Sequence, residues 1–318
     1  MKGKVKEILK KYPLIMIPLV FYGKVFQGYR LYKKIVKKYG DDVKIFRTAW
    51  HGTGDYYICG LYLREYLMKN KIVNFIFLVP DAGSESKVTE LFDIYREHVL
   101  KISNPYGLTR FSEFMQQYYP LCKGFETSEQ INFIGEYLKG YKGLTLMDFY
   151  LYYGFGLPAN AKRDKPRFNE DKEHIIRIFE DAGLLLGKTA LIAPYSTCII
   201  DSEPSANMWE KIAKKLQSEG WSVATNCFGE EKPITGTAAL SISYRDIVPF
   251  LDAAGRFIGV RSGLCDIVST STCEKSIFYG ESKFWVKEKA KEFVDLEKME
   301  LSVGIKDISE EIRSILLI

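Results

Sequence analysis

Three consecutive residues, Arg261, Ser262 and Gly263, have side chains and spacing suited to holding a diphosphate. They follow a short apolar run, Arg256–Val260, and precede a stretch that predicts a helix from Leu264. Backbone N–H groups at a helix start lack intrahelical partners and carry partial positive charge, so they bind anions. Glycine permits close backbone approach, serine offers a hydroxyl and arginine a bidentate contact. The alternative is an ordinary strand-to-helix turn, in which serine and glycine only cap the helix.

A second candidate site is the polar loop at positions 51–55, which separates a β-rich stretch, Val43–Trp50, from an apolar-periodic helix, Tyr56–Leu67. A strand at Ile72–Val79 completes a βαβ unit, and open α/β sheets bind ligands at the carboxyl ends of their strands. The last loop residue, Asp55, is suited either to general-base chemistry or to capping the helix. The other loop residues, candidates for acceptor contacts, are His51, Gly52, Thr53 and Gly54.

This loop is not a dinucleotide-binding fingerprint. A GxGxxG motif that begins at Gly52 requires glycine at position 57, where the sequence has tyrosine. The departure argues against a nicotinamide oxidoreductase.

Charge is distributed unevenly along the 318 residues, whose formal net charge is +5. Residues 1–38 contain eleven Lys or Arg and a single acidic residue, so the remainder of the chain is near −5. An acidic main body disfavours nucleic-acid binding. The length is sufficient for two domains, and 47% hydrophobic with 27% charged residues is typical of a globular protein.

The basic segment 1–38 also contains five aromatic residues between positions 21 and 32 and an apolar run, Pro13–Tyr22. The run is about half the length that spans a bilayer. Such a segment suits the surface of an anionic membrane. The alternative is a helix that packs on the protein and exposes its lysines to water.

The six cysteines are scattered, with no CxxC pair and no histidine at ligand spacing. This pattern argues against a zinc site and a disulfide framework, and it predicts a reducing compartment. We therefore expect a cytoplasmic protein without a bound metal.

The middle of the chain predicts helices at Ser86–Leu100, Leu108–Tyr118 and Ser128–Lys139. The run Thr145–Tyr153 is compatible with a strand or with a buried helix, because its periodicity favours neither. Leu157–Phe168, with two prolines and mixed charge, is the best linker candidate.

We place the domain boundary in that linker, which gives an N-terminal domain, 1–160, and a C-terminal domain, 161–318. A second α/β series follows it, and two such domains predict an active site in the groove between them. Ser196 and Thr197, in the turn after the first strand of this series, either contact a phosphate or form a plain turn. The predicted elements are Glu170–Ala182, Thr189–Ala193, Ala206–Glu219, Trp221–Asn226, Ile247–Ala254 and Arg256–Val260, and a β-rich run at Lys275–Tyr279.

Four stretches carry a resemblance to the heptosyltransferase-like glycosyltransferases. In the first half it is GTGDYYICGLYLREYL at 52–67, with a Gly-Asp pair at a helix start. In the second half the order and separation of three segments resemble the donor domain of that family. They are KTALIAPYS at 188–196, MWEKIAKKLQSEGWSVATN at 208–226 and RDIVPFLDAAGRFIGVRSGLCD at 245–266.

The resemblance implies the α/β GT-B architecture, in which two Rossmann-like domains face each other across a cleft and a final helix can pack back on the N-terminal domain. It further implies metal-independent transfer of a sugar from a nucleotide donor, with inversion. Asp55 then corresponds to the general base, and Arg261, Ser262 and Gly263 to the diphosphate site.

Two positions depart from the pattern of that family. Arg261 stands where an aspartate is usual, and Asp266 stands where a histidine is usual. Asp266 then reaches a ribose hydroxyl, holds Arg261 or caps the helix. These exchanges indicate a branch outside the heptose-transferring members.

The resulting hypothesis is a glycosyltransferase of bacterial surface polysaccharide synthesis, acting in capsule, exopolysaccharide or lipopolysaccharide assembly. Its partners would be a nucleotide sugar and a lipid-linked glycan acceptor, with residues 1–38 at the inner face of the cytoplasmic membrane. No cofactor beyond the donor is expected. The alternative is a non-catalytic subunit of the same fold that binds a nucleotide sugar or activates a partner.

Overall fold

The structure is a computed structural model with two parallel β-sheets, and the α/β class predicted from the sequence is confirmed. The residues that it describes are 13–48, 52–81, 85–96, 98–103, 122–125, 144–196, 204–278, 294–295 and 305–307.

The first sheet has four parallel strands in the order β3-β2-β1-β4. The central strand β1 pairs with β2 on one side and with β4 on the other, so the strand order reverses between β1 and β4. Two long helices, α1 and α2, precede and follow β1. The bounds are α1 Pro13–Tyr39, β1 Lys44–Thr48, α2 Thr53–Lys69, β2 Phe75–Pro80, β3 Val99–Ile102 and β4 Cys122–Phe125.

Helix α2 is the central element of this half. Every residue from Gly54 to Leu63 is buried. A helix that is apolar on all sides belongs in a protein interior. The phenyl ring of Phe92 lies directly on Gly60, where an added Cβ would be 2.8 Å from the ring Cγ. The position of the helix is therefore fixed by contacts on several sides.

The helix predicted at Ser86–Leu100 is wrong. The chain instead forms α3, Glu85–Val88, two 3-10 turns and then β3. Phe92 between the two turns has extended backbone angles, φ −127° and ψ 127°, which place its ring against α2. Tertiary packing thus overrides the helical periodicity of the sequence. The other two predicted helices, Leu108–Tyr118 and Ser128–Lys139, lie outside the described residues.

The ambiguous run Thr145–Tyr153 is mainly helical. It forms α4, Leu146–Phe149, and continues as a single π-turn, Tyr150–Gly154. A two-residue strand, β5 at Leu144–Thr145, precedes it.

The predicted linker Leu157–Phe168 has no regular secondary structure and is held against the first half. The Asp164 N–H donates to the Leu61 carbonyl and the Arg167 N–H to the Leu91 carbonyl, each at 2.7 Å. These bonds fix the path of the segment across α2. The domain boundary placed in it stays a prediction.

The second sheet has six parallel strands in the order β12-β10-β9-β6-β7-β8. Its strand order reverses between β6 and β9, which are hydrogen-bonded neighbours. The separate strand β11, Val294–Asp295, pairs with β5. The bounds are α5 Lys172–Ala182, β6 Thr189–Ala193, α6 Ala206–Ser218, β7 Ser222–Asn226, β8 Ala238–Leu240, α7 Ile247–Ala254, β9 Gly255–Val260, α8 Gly263–Val268, β10 Glu274–Phe278 and β12 Ile305–Asp307.

Local signals explain the helices of this half. The Asp171 carboxylate accepts the His174 N–H at the start of α5, and Gly183 ends that helix in the left-handed conformation. Ser205 caps α6 by accepting the Met208 N–H. These elements were predicted to within a few residues, because caps and apolar periodicity agree.

Helix α1 packs one face on the first sheet, where Ile35 is buried beside Val43 and Ile45. Its opposite face exposes the aromatic side chains of Tyr22, Phe26 and Tyr29 to solvent. The helix therefore packs on the protein, as one of the two alternatives expected, and association of its exposed aromatic face with a membrane stays a prediction. None of the helices in the described ranges is long and apolar enough to cross a membrane.

Candidate active site

The two sheets bring their topological switch points together. In open α/β sheets, ligands bind outside the carboxyl ends of the strands where the strand order reverses. The reversal in the first sheet lies between β1 and β4, and β1 leads into the start of α2. The reversal in the second sheet lies between β6 and β9, and β9 leads into α8. The starts of α2 and α8 are packed against each other, so both candidate loops belong to one site.

Two glycines make this contact possible. A Cβ added to Gly263 would lie 2.8 Å from the Cβ of Thr53 and closer still to the backbone nitrogen of Gly54. A Cβ added to Gly54 would lie 3.1 Å from the Cγ of Asp266 and 3.2 Å from the Cα of Gly263. Real Cβ atoms do not approach backbone as closely as one at Gly263 would, so only glycine fits there without moving the chain. At Gly54 the obstacle is the Asp266 carboxylate, which would have to move aside for a larger residue. The two helix starts are in van der Waals contact at this point.

Asp55 lies at this contact and is 7% exposed. One carboxylate oxygen accepts the Gly52 N–H at 3.1 Å, and the other accepts a short hydrogen bond from the Tyr150 hydroxyl. Gly52 is the N-cap and Asp55 the third residue of α2, so this bond is the half of a capping box in which the third residue caps the N-cap N–H. Asp55 is therefore not the N-cap that the sequence offered as one alternative, because α2 begins at Thr53 and not at Tyr56. Its role as a general base stays a prediction.

The pKa of Asp55 is raised to about 7. Burial is the largest cause, because it disfavours the charged carboxylate. The Tyr150 hydrogen bond lowers this pKa, the neighbouring Asp266 carboxylate raises it, and the Gly52 bond and the Arg261 charge lower it. A carboxylate with a pKa near neutrality can both accept and release a proton at physiological pH.

Arg261 and Asp266 form an ion pair in which one guanidinium nitrogen, Nη2, donates to both carboxylate oxygens at 2.8 and 3.0 Å. Their side chains are 13% and 5% exposed, so the pair is almost entirely withdrawn from water. The same guanidinium donates to the Ser262 carbonyl. Burial raises the pKa of Asp266, and the Arg261 charge opposes that shift. Of the three arrangements considered for Asp266, the structure has it holding Arg261.

The other predicted donor-site residues lie around this pair. The Ser196 hydroxyl donates to the Arg261 carbonyl at 3.2 Å, which ties the turn after β6 to the turn after β9. Ser262 is the extended N-cap of α8, and its hydroxyl makes no capping bond to that helix. Helix α8 is only six residues long, so its dipole is weak. Thr197 and His51 lie outside the described residues.

Tyr150 is a site residue that sequence reasoning missed. It lies in the π-turn after α4, and its hydroxyl is fully buried against Asp55, from which it is 95 positions away in sequence. Burial and the Asp55 charge raise the pKa of Tyr150 well above its usual value, so it stays a donor. In the sequence, Tyr150 stands in an aromatic run without clear periodicity, and nothing in that run indicates that Asp55 is its hydrogen-bond partner.

Replacing Tyr150 by phenylalanine is expected to raise the pKa of Asp55 further, because the lost hydrogen bond is one that lowers it. A carboxyl group whose pKa is raised by folding contributes to the free energy of unfolding. That contribution is fully present below about pH 4, its pKa in the unfolded chain, and is lost as pH rises through its pKa in the folded protein. In the variant, stability should therefore continue to fall with pH up to a higher pH than in the wild type. Melting temperatures measured from pH 4 to pH 9 test this.

The matched control is Tyr95→Phe, which removes a buried hydroxyl that bonds the Tyr56 carbonyl at 3.2 Å and not Asp55. It should lower the melting temperature by a similar amount at every pH. An unchanged pH window in Tyr150→Phe would show that the hydroxyl does not tune Asp55.

Within the described ranges, no three His, Cys, Asp or Glu side chains are grouped so that they could hold a metal ion. The polar groups that converge on the site are a carboxylate, a phenol, an ion pair and backbone amides.

Comparison with known proteins shows a likeness of fold. The structure of E. coli ADP-heptose LPS heptosyltransferase II is similar with a TM-score of 0.51 and 13% identity, over 86% of this chain and 98% of that one. The glycosyl transferase family 9 structure from Veillonella parvula DSM 2008 gives a TM-score of 0.52 and 9% identity, over 87% and 91%. No family model matches the sequence, and no curated protein matches it significantly. The predicted GT-B architecture is thereby confirmed as the fold.

Proposed function

We propose that the protein is an inverting glycosyltransferase that moves a sugar from a nucleoside-diphosphate donor to an acceptor hydroxyl. The observation that supports this most is the position of Asp55. Its carboxyl group has a pKa near 7 and lies at the switch point of the first sheet, against the Arg261-Ser262-Gly263 turn of the second. The likeness to structures named as glycosyltransferases agrees with it.

In the proposed reaction, the Asp55 carboxylate takes the proton of the acceptor hydroxyl. The acceptor oxygen then forms a bond to the anomeric carbon from the side opposite the diphosphate. The bond between that carbon and the diphosphate oxygen breaks, and the nucleoside diphosphate leaves with the electron pair. The acceptor would be bound by the 1–160 half and the donor by the 161–318 half.

The leaving diphosphate requires donors aimed at its growing charge. The amides of Ser262 and Gly263, the guanidinium of Arg261 and the hydroxyls of Ser196 and Thr197 are assigned to this task. Arg261 donates to Asp266, so the diphosphate would compete with that carboxylate for the guanidinium group. No metal ion is assigned to the reaction.

A thermal-shift panel of UDP, GDP, ADP and dTDP in EDTA, with CMP as control, tests the donor site. A ligand that binds only the folded protein raises its melting temperature. We expect one diphosphate to give a clear shift without metal. The shift should be lost in Arg261→Ala and kept in the matched surface variant Arg177→Ala.

A second candidate function is a non-catalytic subunit of the same fold. The observation that favours it is the closed contact at Gly54 and Gly263, with Arg261 already neutralised by Asp266. If no diphosphate changes the melting temperature of the wild type, this second function replaces the first.

We place the reaction in bacterial surface polysaccharide synthesis, as capsule, exopolysaccharide or lipopolysaccharide assembly, at the inner face of the cytoplasmic membrane. The acceptor would then be lipid-linked. Helix α1 supports this setting, because Tyr22, Phe26 and Tyr29 follow an i, i+4, i+7 spacing and are 60%, 59% and 41% exposed. Lys33 continues the same face, with its ammonium group 5.7 Å from the Tyr29 ring centre. Aromatic and basic groups on one helix face are typical of interfacial binding.

We expect the protein to bind vesicles that contain phosphatidylglycerol, and expect Phe26→Ser to weaken that binding about tenfold or more. Co-sedimentation with vesicles measures it. Val73→Ser is the matched control, since Val73 is 86% exposed, lies before β2 and is not part of α1, so it should have no effect. Equal binding to phosphatidylcholine vesicles, or no effect of Phe26→Ser, would contradict the proposal.

A further inference from the structure

A second concave site lies on the first half, away from Asp55. It is a depression of about 300 Å³ lined by Arg64, Asp93, Ile94, Arg96, His98 and Arg167. Arg64 follows Asp55 by nine residues on α2, which puts it about 13 Å along the axis and on the opposite side of the helix. The depression is therefore separate from the proposed transfer site.

The lining of this depression carries a net positive charge. Three guanidinium groups face a single carboxylate, Asp93, within it. Arg167 forms an ion pair with Asp93, and the nearest nitrogen of Arg96 is 3.7 Å from the same carboxylate, which is too far for a hydrogen bond. Asp164, which bonds Arg64 at 2.9 Å from outside the lining, brings the charge of the whole group to +1.

The arginine side chains retain donors for a ligand. Those of Arg64, Arg96 and Arg167 are 44%, 72% and 57% exposed. Each guanidinium has five N–H donors, and the bonds to Asp93 and Asp164 use only a few of them. A surface cluster of this kind contributes little to stability by itself.

The backbone beneath the site is fixed on three sides. The Arg167 N–H donates to the Leu91 carbonyl at 2.7 Å, and the Arg96 N–H to the Asp93 carbonyl at 3.0 Å. The His98 ring stacks on Phe75 with a centroid distance of 4.0 Å. The backbone that carries Arg96 and Arg167 is therefore fixed, and Arg64 projects from α2, so the three arginines come from separate parts of the chain.

We propose that this depression is a binding site for a phosphate group. Guanidinium groups that converge from three directions suit a tetrahedral oxyanion better than a planar carboxylate, and arginine binds phosphate oxygens in a bidentate way. The volume leaves room for a group attached to the phosphate. Binding here does not depend on the proposed transfer reaction, because the site shares no residue with it.

Isothermal titration of the full chain with inorganic phosphate, and separately with glycerol 3-phosphate, tests the site in chloride buffer. We expect binding of both, weakened at least about tenfold by Arg96→Gln or Arg167→Gln, the effect of losing one charge-assisted hydrogen bond. Asp93→Asn should tighten binding, because it removes the carboxylate that competes for the same guanidinium groups. Tighter binding of glycerol 3-phosphate identifies an esterified phosphate as the ligand, and equal binding identifies free phosphate.

Two control variants test whether the measured binding belongs to this depression. Arg177→Gln, an exposed arginine on α5, should bind phosphate as the wild type does. Arg261→Gln removes the arginine of the donor site, so phosphate binding that persists in this variant belongs to the depression. The proposal is overturned if phosphate does not bind, if Arg96→Gln and Arg167→Gln bind normally, or if Asp93→Asn weakens binding while its melting temperature stays at the wild-type value.

Discussion

Replacing Asp55 by asparagine is expected to lower kcat for sugar transfer by about 10² to 10⁴-fold, the usual contribution of a general base. An amide cannot take the acceptor proton, but it keeps the size of the side chain and an oxygen that can accept the Gly52 N–H. Binding of the nucleoside diphosphate should therefore be unchanged in the thermal-shift assay. In the wild type, kcat/KM should fall tenfold per pH unit below about pH 7, the pKa of Asp55.

The same substitution should lower the rate of transfer but raise the free energy of unfolding at alkaline pH. Because the folded pKa is raised from 3.8 to about 7, the wild type loses up to about 4 kcal/mol as pH rises between these values. Asp55→Asn has no proton to lose at this position, so its free energy of unfolding should fall less over that range and exceed that of the wild type at pH 8. Chemical denaturation at pH 5 and pH 8 measures both.

Asp252→Asn is the matched control for this experiment. Asp252 accepts the Thr272 N–H and the Ser271 hydroxyl, both at 2.7 Å, and takes no part in the site. It should lower stability without the gain at pH 8 and without a large change in kcat. If Asp55→Asn transfers sugar at the wild-type rate, Asp55 is not the base. If it also binds diphosphate normally, the donor site stands without it.

Sequence patterns located the two loops of the site because each follows a recognisable strand and precedes a helix. Asp55 and Gly263 could be placed at carboxyl ends of strands from apolar runs alone. Their contact could not, since it depends on how the two sheets pack, and glycine at 54 and 263 is equally common in ordinary turns. The ion pair of Arg261 with Asp266 was one of three arrangements that the spacing allowed.

Other features depend on contacts between distant parts of the chain. Tyr150 reaches Asp55 from a π-turn whose sequence fits a strand as well as a helix. The wrong helix at Ser86–Leu100 has helical periodicity, but its apolar side chains pack as short turns under α2, and its last residues pair with β2. A short stretch of sequence does not indicate either of these distant partners. Short stretches do predict the helices and strands of the second half, because caps such as Ser205 agree there with the apolar pattern.

Replacing Gly263 by alanine is expected to force the starts of α2 and α8 apart. The new Cβ would meet the backbone nitrogen of Gly54 and lie 2.8 Å from the Cβ of Thr53, and backbone cannot move aside as a flexible side chain does. Overpacking of this kind costs about 1–3 kcal/mol of unfolding free energy. The gain in helix propensity from alanine, about 1 kcal/mol at most, offsets only part of that. Asp55 and the donor turn would also separate. The rate of sugar transfer should therefore fall by more than the loss of folded protein explains.

Gly23→Ala supplies the control, because Gly23 lies in the exposed part of α1 with no atom within 4 Å of an added Cβ. It should stabilise the protein slightly and leave transfer unchanged. Diphosphate binding separates two explanations for lost activity in Gly263→Ala. A normal thermal shift with low kcat means that the donor site survives and the distance to Asp55 has grown. An unchanged melting temperature together with unchanged transfer would mean that α2 and α8 do not touch at Gly54, and the single site assembled from the two switch points would have to be abandoned.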